Sequence, residues 1–302
     1  MGFARAGFNV MLGVDTDLDS LVSFSWAHPL AEVSQVPVED HRWKLGVEVV
    51  IGGPPCQPWS TGGNRRGAED GRDGWPGFVS AIRQIKPRAF VAENVLGFAG
   101  TPEMMMVLRD LREAGFAVDC RVLDAADFGV PQHRKRLFIV GTRTGVFRWP
   151  QPTDQPRPAG HFIGLGGVGE PNPAKVTWSK NPVLRKDPYA GMLVNGGGRP
   201  INLRRPAPTV LASASGNKAP WVDTYDVVPN VHRYLMEGGT PITGEVTGAR
   251  RLTAEELALL QSFPAGHKFA GSRSSQVRQI GNAVPPRVAQ RIAVSLASCL
   301  MS

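Results

Sequence analysis

Three short runs carry most of the chemical reach of this chain. The first is Gly52-Gly53-Pro54-Pro55-Cys56-Gln57-Pro58-Trp59-Ser60, a lone thiol on a Pro-Pro turn directly behind an apolar stretch. Most lone cysteines are buried small hydrophobes. Three prolines and two glycines around Cys56 are poor core material, however, and favour a nucleophile. A free thiol has a pKa of about 8.5, so Cys56 needs assistance to attack as a thiolate near neutral pH. The second run, Glu93-Asn94-Val95, ends an otherwise apolar segment. Its carboxylate faces a crevice, is solvated at a strand end, or is buried with a partner, since a buried lone charge is costly. The third run is Gln132-His133-Arg134-Lys135-Arg136. On extended backbone Arg134 and Arg136 share one face, and His133 and Lys135 the other. A solvated basic loop is the plainer reading of the same five residues.

These runs need elements to hold them. Phe8–Asp15, Val47–Gly52, Arg88–Glu93 and Leu137–Gly141 read as strands. Asp17–Ala27 and Pro102–Gly115 read as helices, the second with Met106, Leu108, Leu111 and Ala114 near one face. Apolar strands alternating with helices predict an α/β fold with a mainly parallel sheet covered by helices on both faces. Ligands of such sheets bind beyond the carboxyl ends of the strands, where Asp15, the Gly52–Cys56 turn and Glu93-Asn94 all fall. From 144 to 249 Pro and Gly crowd in and helical periodicity fades. That texture predicts a small, loop-rich, β-containing domain, not a helical one, with Trp178, Tyr189, Trp221, Tyr225 and Tyr234 as core material. Thr253-Ala254-Glu255-Glu256 is a capping-box pattern, and Pro286 opens a last helix carrying Val288, Ile292 and Leu296. The chain thus divides into 1–143, 144–249, and 250–302 as a return to the first domain.

Composition narrows the function classes. Across 302 residues, 42% are hydrophobic and 20% charged, enough for a real core and against wholesale disorder. No apolar run reaches the roughly 18 residues of a membrane span, and Met1-Gly2-Phe3-Ala4-Arg5-Ala6 lacks the features of a secretory signal. Three cysteines without a CxxC pair exclude a disulfide scaffold or zinc finger and suit a reducing cytoplasm. A net charge of +8 invites a polyanionic partner.

Taken in order, five motifs resemble those of the DNA (cytosine-5) methyltransferases of bacterial restriction–modification type. They are Pro54-Pro55-Cys56-Gln57; Glu93-Asn94-Val95; Gln132, Arg134 and Arg136; Arg251-Leu252-Thr253 with Gln261, Phe263 and Pro264; and Gln279-Ile280-Gly281-Asn282-Ala283-Val284-Pro285. The resemblance runs from the first residues to the last helix and is loose over 144–249, where that family carries its target-recognition domain. It implies a Rossmann-like methyltransferase fold using S-adenosyl-L-methionine. It also implies a target cytosine flipped out of duplex DNA, attacked at C6 by Cys56 and methylated at C5. Glu93 is then expected at the ring N3 edge, Arg136 at the base carbonyl, and Arg134 beside it fixing the Cys56 loop. Asp15 is expected at the cofactor ribose, Thr16 against the adenine, and Glu32-Val33 at the adenine edge, where Glu replaces the usual Asp. Pro54 and Asn282 complete the pocket. Ser60, Arg65, Arg66 and Arg72 belong to a loop, Ser60 to Asp73, resembling the mobile loop that closes over DNA, and Gln57 just before it is likewise expected to bind DNA. Arg204 and Arg205 serve equally as phosphate clamps or base readers.

One departure stands out. The resemblance expects a strand, a Gly-rich cofactor loop and most of a helix before the point that Met1–Phe8 matches, and their loss would open a sheet edge. A late-assigned start is the favoured explanation, with this exact chain expected to be poorly soluble or nearly inactive; a non-catalytic DNA-binding remnant is the other. Two further alternatives are an RNA (tRNA) cytosine-5 methyltransferase and a thiol hydrolase using Cys56, His133 and Asn94. A stand-alone chain of this kind suggests a monomer with a companion restriction endonuclease.

Overall fold

A computed structural model describes residues 1–43, 46–55, 74–152, 155–164, 167–168, 174–195, 198–215 and 219–301. The chain forms two compact units, 1–128 with 134–153 and 286–302, and 129–133 with 154–285. Compactness therefore groups 250–285 with the middle of the chain, where the sequence division returns it to the first domain.

The first unit is built on β1 (Leu12–Asp15), β2 (Glu32–Gln35), β3 (Val49–Gly52), β4 (Ala89–Asn94), β5 (Ala117–Asp124) and β6 (Lys135–Thr142). Among the described residues, β1 pairs in parallel with β2, and a separate four-stranded sheet runs β3-β4-β6-β5. Only β3–β4 is parallel in that sheet; β6 runs antiparallel to both neighbours. The expectation of a mainly parallel sheet is corrected here, because β5 returns into β6 through the 125–134 loop, opened by a 3-10 turn, and not through a crossover helix. The Phe8–Asp15 strand is likewise shorter, beginning at Leu12.

Burial on both faces explains the apolar runs. Phe90, Ala92, Leu137 and Ile139 meet α3 (Trp75–Ile85) and α4 (Pro102–Glu113) through Phe78, Ile82, Leu108 and Leu111, and the alternate residues Ala89, Val91, Phe138 and Val140 are buried too. The buried face of α4 is Met104, Val107, Leu108 and Leu111, so Met106, expected on it, is exposed. Gly141 sits opposite Phe90, and a Cβ there would lie 2.1 Å from the ring, so the aromatic occupies the space of a side chain. The terminal helix, Pro286–Met301, buries Val288, Ile292 and Leu296 and meets α1 (Gly2–Arg5) at Gly2.

The second unit holds the antiparallel pair β7 (Thr177–Val183) and β8 (Met192–Asn195). It also holds a small sheet of β9 (Pro200–Ile201), β10 (Trp221–Asp223) and β11 (Ala249–Arg251). It is not free of helix. α5 (Val227–Met236) lies inside the segment expected to be non-helical, its first turn held by Asp223 accepting from Val227 N and Val228 N, both at 2.9 Å. Trp221 and Tyr189 are core residues and Trp178 packs beside them, whereas Tyr225 and Tyr234 are exposed. α6 (Ala254–Leu260) opens with the expected capping box, Thr253 with Glu256, and α7 (Arg273–Asn282) follows.

Candidate active site

The turn leaving β3 is described as far as Gly53, Pro54 and Pro55. Cys56, Gln57, Ser60, Arg65, Arg66 and Arg72 lie outside the described residues. Two contacts hold the turn: Asn94 Nδ2 donates to Pro54 O at 3.2 Å, and Gly74 N donates to Pro55 O at 3.1 Å. Asn94 Oδ1 in turn accepts from Val95 N at 2.8 Å. Buried Asn94 thus braces the turns after two adjacent parallel strands, with its amide engaged by backbone at both ends. That is a structural task, unlike the orienting role a thiol hydrolase would give it. A Cβ on Gly53 would lie 3.7 Å from Glu93 Oε2, so this backbone runs directly beside the carboxylate.

Register and parity explain the next contact. Glu93 is opposite Phe138 in the antiparallel β4–β6 ladder, and Arg136, two residues before Phe138, projects from the same face. Arg136 Nε lies 3.0 Å from Glu93 Oε1, with the two side chains 17% and 13% exposed. The pair is close without being well aligned, and among the described residues Oε1 lacks a well-directed hydrogen-bond donor. Burial raises the Glu93 carboxyl above its ordinary range by more than the attraction of Arg136 and Arg134 lowers it. Burial also lowers Arg136 against the pull of Glu93. Arg134 is pushed down to about 9, first by burial and then by Arg136, with Glu93 opposing.

Arg134 is almost wholly buried; its N–H donates to Asp124 Oδ1 at 3.0 Å and its carbonyl accepts from Ala125 N at 3.0 Å. His133 and Lys135 are exposed, as strand alternation requires. Asp124 is a functional support that the sequence reading missed. The signal was a carboxylate ending a strand just before a tight turn, where it also accepts from Ala126 N.

The cofactor candidates divide. Asp15, exposed at the carboxyl end of β1, has Oδ1 oriented by Asp17 N at 2.9 Å. Such a carboxylate fits the hydroxyls of a ribose, which are donors. Thr16 O accepts from Gln35 Nε2 at 3.3 Å, and Gln35 is the residue paired with Asp15. Glu32 and Val33 instead pair with Leu12 and Gly13 at the opposite end of β1, so the structure does not bring them level with Asp15. Pro54 is buried in the braced turn.

In the second unit, Asn282 is exposed as the last residue of α7. Arg204 pairs with Asp226 at 3.0 Å and Arg205 with Asp187. Gln132 and Gln261, both fully buried, form a network whose purpose the sequence reading did not see. Gln132 Nε2 donates to Gln261 Oε1 at 3.1 Å and Leu260 O at 3.2 Å, and Gln132 Oε1 accepts from Val210 N at 2.7 Å. Gln261 Nε2 donates to Ile280 O at 2.7 Å. Two amides thereby join α6, α7 and the 207–210 segment.

Comparison with known proteins agrees with this arrangement. The C-5 cytosine-specific DNA methylase family matches residues 1–298. The type II methyltransferase M.AplI of Arthrospira platensis is 36% identical, over 98% of this chain and 81% of its own length. M1.HphI of Haemophilus parahaemolyticus is 31% identical, over 97% and 82%. A DNMT2 mutant of Spodoptera frugiperda shares the fold with a TM-score of 0.70 at 16% identity, covering 100% of this chain and 95% of its own. Dnmt2 of S. pombe does so with 0.69 at 15% identity, covering 98% and 94%. With its motifs in order and its paired strand ends in place, the chain belongs to the C-5 cytosine-specific DNA methylase family.

Proposed function

We propose a covalent route for the transfer of a methyl group from S-adenosylmethionine to C5 of cytosine in duplex DNA. The observation that supports it is the Glu93–Arg136 pair, half-enclosed beside the Gly53–Pro55 turn that leads to Cys56. The Cys56 thiolate adds to C6 of a flipped cytosine; the electron pair of the C5–C6 double bond moves into the C4–C5 bond and that of the C4–N3 double bond onto N3, which makes C5 nucleophilic. Glu93, whose burial favours the protonated carboxyl, gives its proton to N3, so the ring does not accumulate negative charge. Arg136, anchored on Glu93, reaches the base carbonyl, and buried Arg134 stiffens the strand end that carries Arg136. Bound S-adenosylmethionine supplies the methyl as an electrophile on a sulfonium. A water or hydroxide then takes the C5 proton, the C5–C6 double bond re-forms as the C6–S bond breaks and the Cys56 thiolate leaves, and N3 returns its proton to Glu93.

Asp15 holds the ribose, with Thr16, Pro54 and Asn282 forming the remainder of the cofactor site; Glu32 and Val33, paired at the other end of β1, are left out of it. Gln57, Ser60, Arg65, Arg66 and Arg72 meet DNA beside the nucleophile, and Arg204 and Arg205 meet it from the second unit. Segments 1–143 and 250–302 supply catalysis and 144–249 recognition of a specific sequence. We place the enzyme in the cytoplasm as a monomer alongside a restriction endonuclease of the same specificity.

The test is transfer from labelled S-adenosylmethionine to mixed-sequence duplex DNA, with tRNA in parallel. Label in cytosine C5 of DNA, abolished by Cys56→Ala, supports the route; transfer that survives Cys56→Ala refutes it.

A further inference from the structure

The second unit contains an open cleft of about 430 Å³, lined by Thr177, Trp178, Lys180, Asn181, Asn195 and Thr243 among others. Its shape comes from a fault in the β7–β8 ladder. Thr177 pairs with Asn195 and Trp178 with Val194, but the next pair is Val183 with Met192. Four residues of β7, Ser179 to Pro182, therefore stand against Leu193 alone, and the excess bows out of the ladder. Bulges of this kind re-aim side chains and gather beside functional sites. The opposite edge of β7 is fixed: Trp178 N donates to Gly244 O at 3.0 Å, and Thr177 bridges to Glu245. Trp178 packs on the core of Val176, Leu193 and Trp221, which gives the cleft a firm floor.

The polar groups around that floor are uncommitted. Among the described residues, the side-chain amides of Asn181 and Asn195 and the Lys180 ammonium have no protein partner, while the backbone N–H of Asn181 donates to Ser179 Oγ at 3.3 Å. Among the described residues, no carboxylate lines the cleft. Arg204 and Arg205, by contrast, each already hold an aspartate.

We infer that the β7–β8 cleft is a base-reading subsite for the duplex, which rests on the enzyme reading above. Each asparagine amide offers a donor beside an acceptor, the pair that matches N6 and N7 of adenine in the major groove, while Lys180 donates to O6 or N7 of guanine. A base contact changes preference at one position of the target, whereas a phosphate contact lowers binding evenly over all sequences.

The experiment uses the full chain with a library of randomised duplexes. Bound duplexes are sequenced, and methylated cytosines are mapped at single-base resolution, for the wild type, Asn181→Ala, Asn195→Ala and Lys180→Ala. Both asparagines lie on the surface, and thermal unfolding checks that the variants fold. Expected is a loss of discrimination at one position for at least one asparagine variant, about tenfold to a hundredfold, with the other positions retained. Unchanged preference at every position, with or without an even loss of binding, overturns the proposal. If the wild type binds a defined sequence but methylates nothing, the enzyme reading fails, and the bound pools of the variants still decide the cleft.

Discussion

In the first unit, the groups that can act on a base grow from strand ends whose neighbours are buried on both faces; in the second, the uncommitted polar groups sit on a bulged hairpin at the surface. Glu93 follows four consecutive buried residues of β4, and its partner Arg136 is the second residue of β6, whose residues from Leu137 to Thr142 are all buried. Asn181 and Lys180 lie where the β7–β8 ladder skips, and Asn195 is exposed at its end. The contrast teaches what each task demands. Proton transfer needs a carboxyl held to a fraction of an ångström in a poorly hydrated place, which the packed β4–β6 strands provide. Reading a sequence needs donors and acceptors that meet water until DNA replaces it, and a surface bulge can change them without disturbing a core.

The largest expected effect tests the first region. Glu93→Gln should lower kcat by about 10²–10⁴-fold with little change in KM for DNA, read by steady-state methyl transfer. An equal fall in affinity alone would move Glu93 from chemistry to binding. The pH dependence sharpens this. A carboxyl whose folded pKa is raised stays protonated to higher pH than in the unfolded chain, so the rate limb due to Glu93 falls as pH rises through its pKa. The stability that goes with the raised pKa is present at low pH and lost over the same rise. Glu93→Gln should remove both dependences, measured by pH–rate profiles and by denaturant unfolding at several pH values.

Next is the packing that holds that carboxyl. Phe90→Ala empties a fully buried site and should cost about 3–5 kcal/mol in chemical denaturation. A cost near 1 kcal/mol would mean that the sheet is not the rigid frame described. In the second unit the corresponding terms are smaller. Thr253→Ala removes the cap of α6, which donates to Val168 O at 2.5 Å and accepts from Glu256 N at 3.1 Å, and should cost about 1 kcal/mol. Smallest is the effect of Arg204→Ala on stability, below about 1 kcal/mol, since its pair with Asp226 is exposed. If Arg204 clamps a phosphate, the same variant should flatten the salt dependence of DNA binding by about one unit of slope.

Legibility followed burial. β4 and β6 were readable because strands buried on both faces are continuous apolar runs, and β3 was readable as a run of valines and isoleucine although Ile51 is exposed. β5 was not, since Ala117–Asp124 carries Asp119, Arg121 and Asp124 on an edge strand that is largely exposed. α3 was hidden by Pro76 and Gly77 in its first turn, although proline is well tolerated there and Phe78, Ile82 and Ile85 keep helical spacing. α5 was hidden by two valines and Pro229, with Asp223 supplying the cap from a strand that sequence alone does not place nearby. In the site, strand alternation anticipated the shared side of Arg134 and Arg136. The ion pair with Glu93 needed the β4–β6 register, which no local pattern encodes. The brace made by Asn94 and the Gln132–Gln261 network were beyond local reasoning for the same cause: each joins residues tens of positions apart.

The central claim is that Cys56, which follows Pro55 in the sequence, bonds to the cytosine ring. Duplex DNA carrying 5-fluorocytosine at the target tests it directly, because C5 then has no proton to lose after methyl transfer and the thiolate cannot leave. The account predicts a denaturation-resistant protein–DNA adduct that requires S-adenosylmethionine, maps by peptide mass spectrometry to Cys56 and is absent in Cys56→Ala. Methylation of ordinary duplex with no such adduct, or an adduct on another residue, would contradict it.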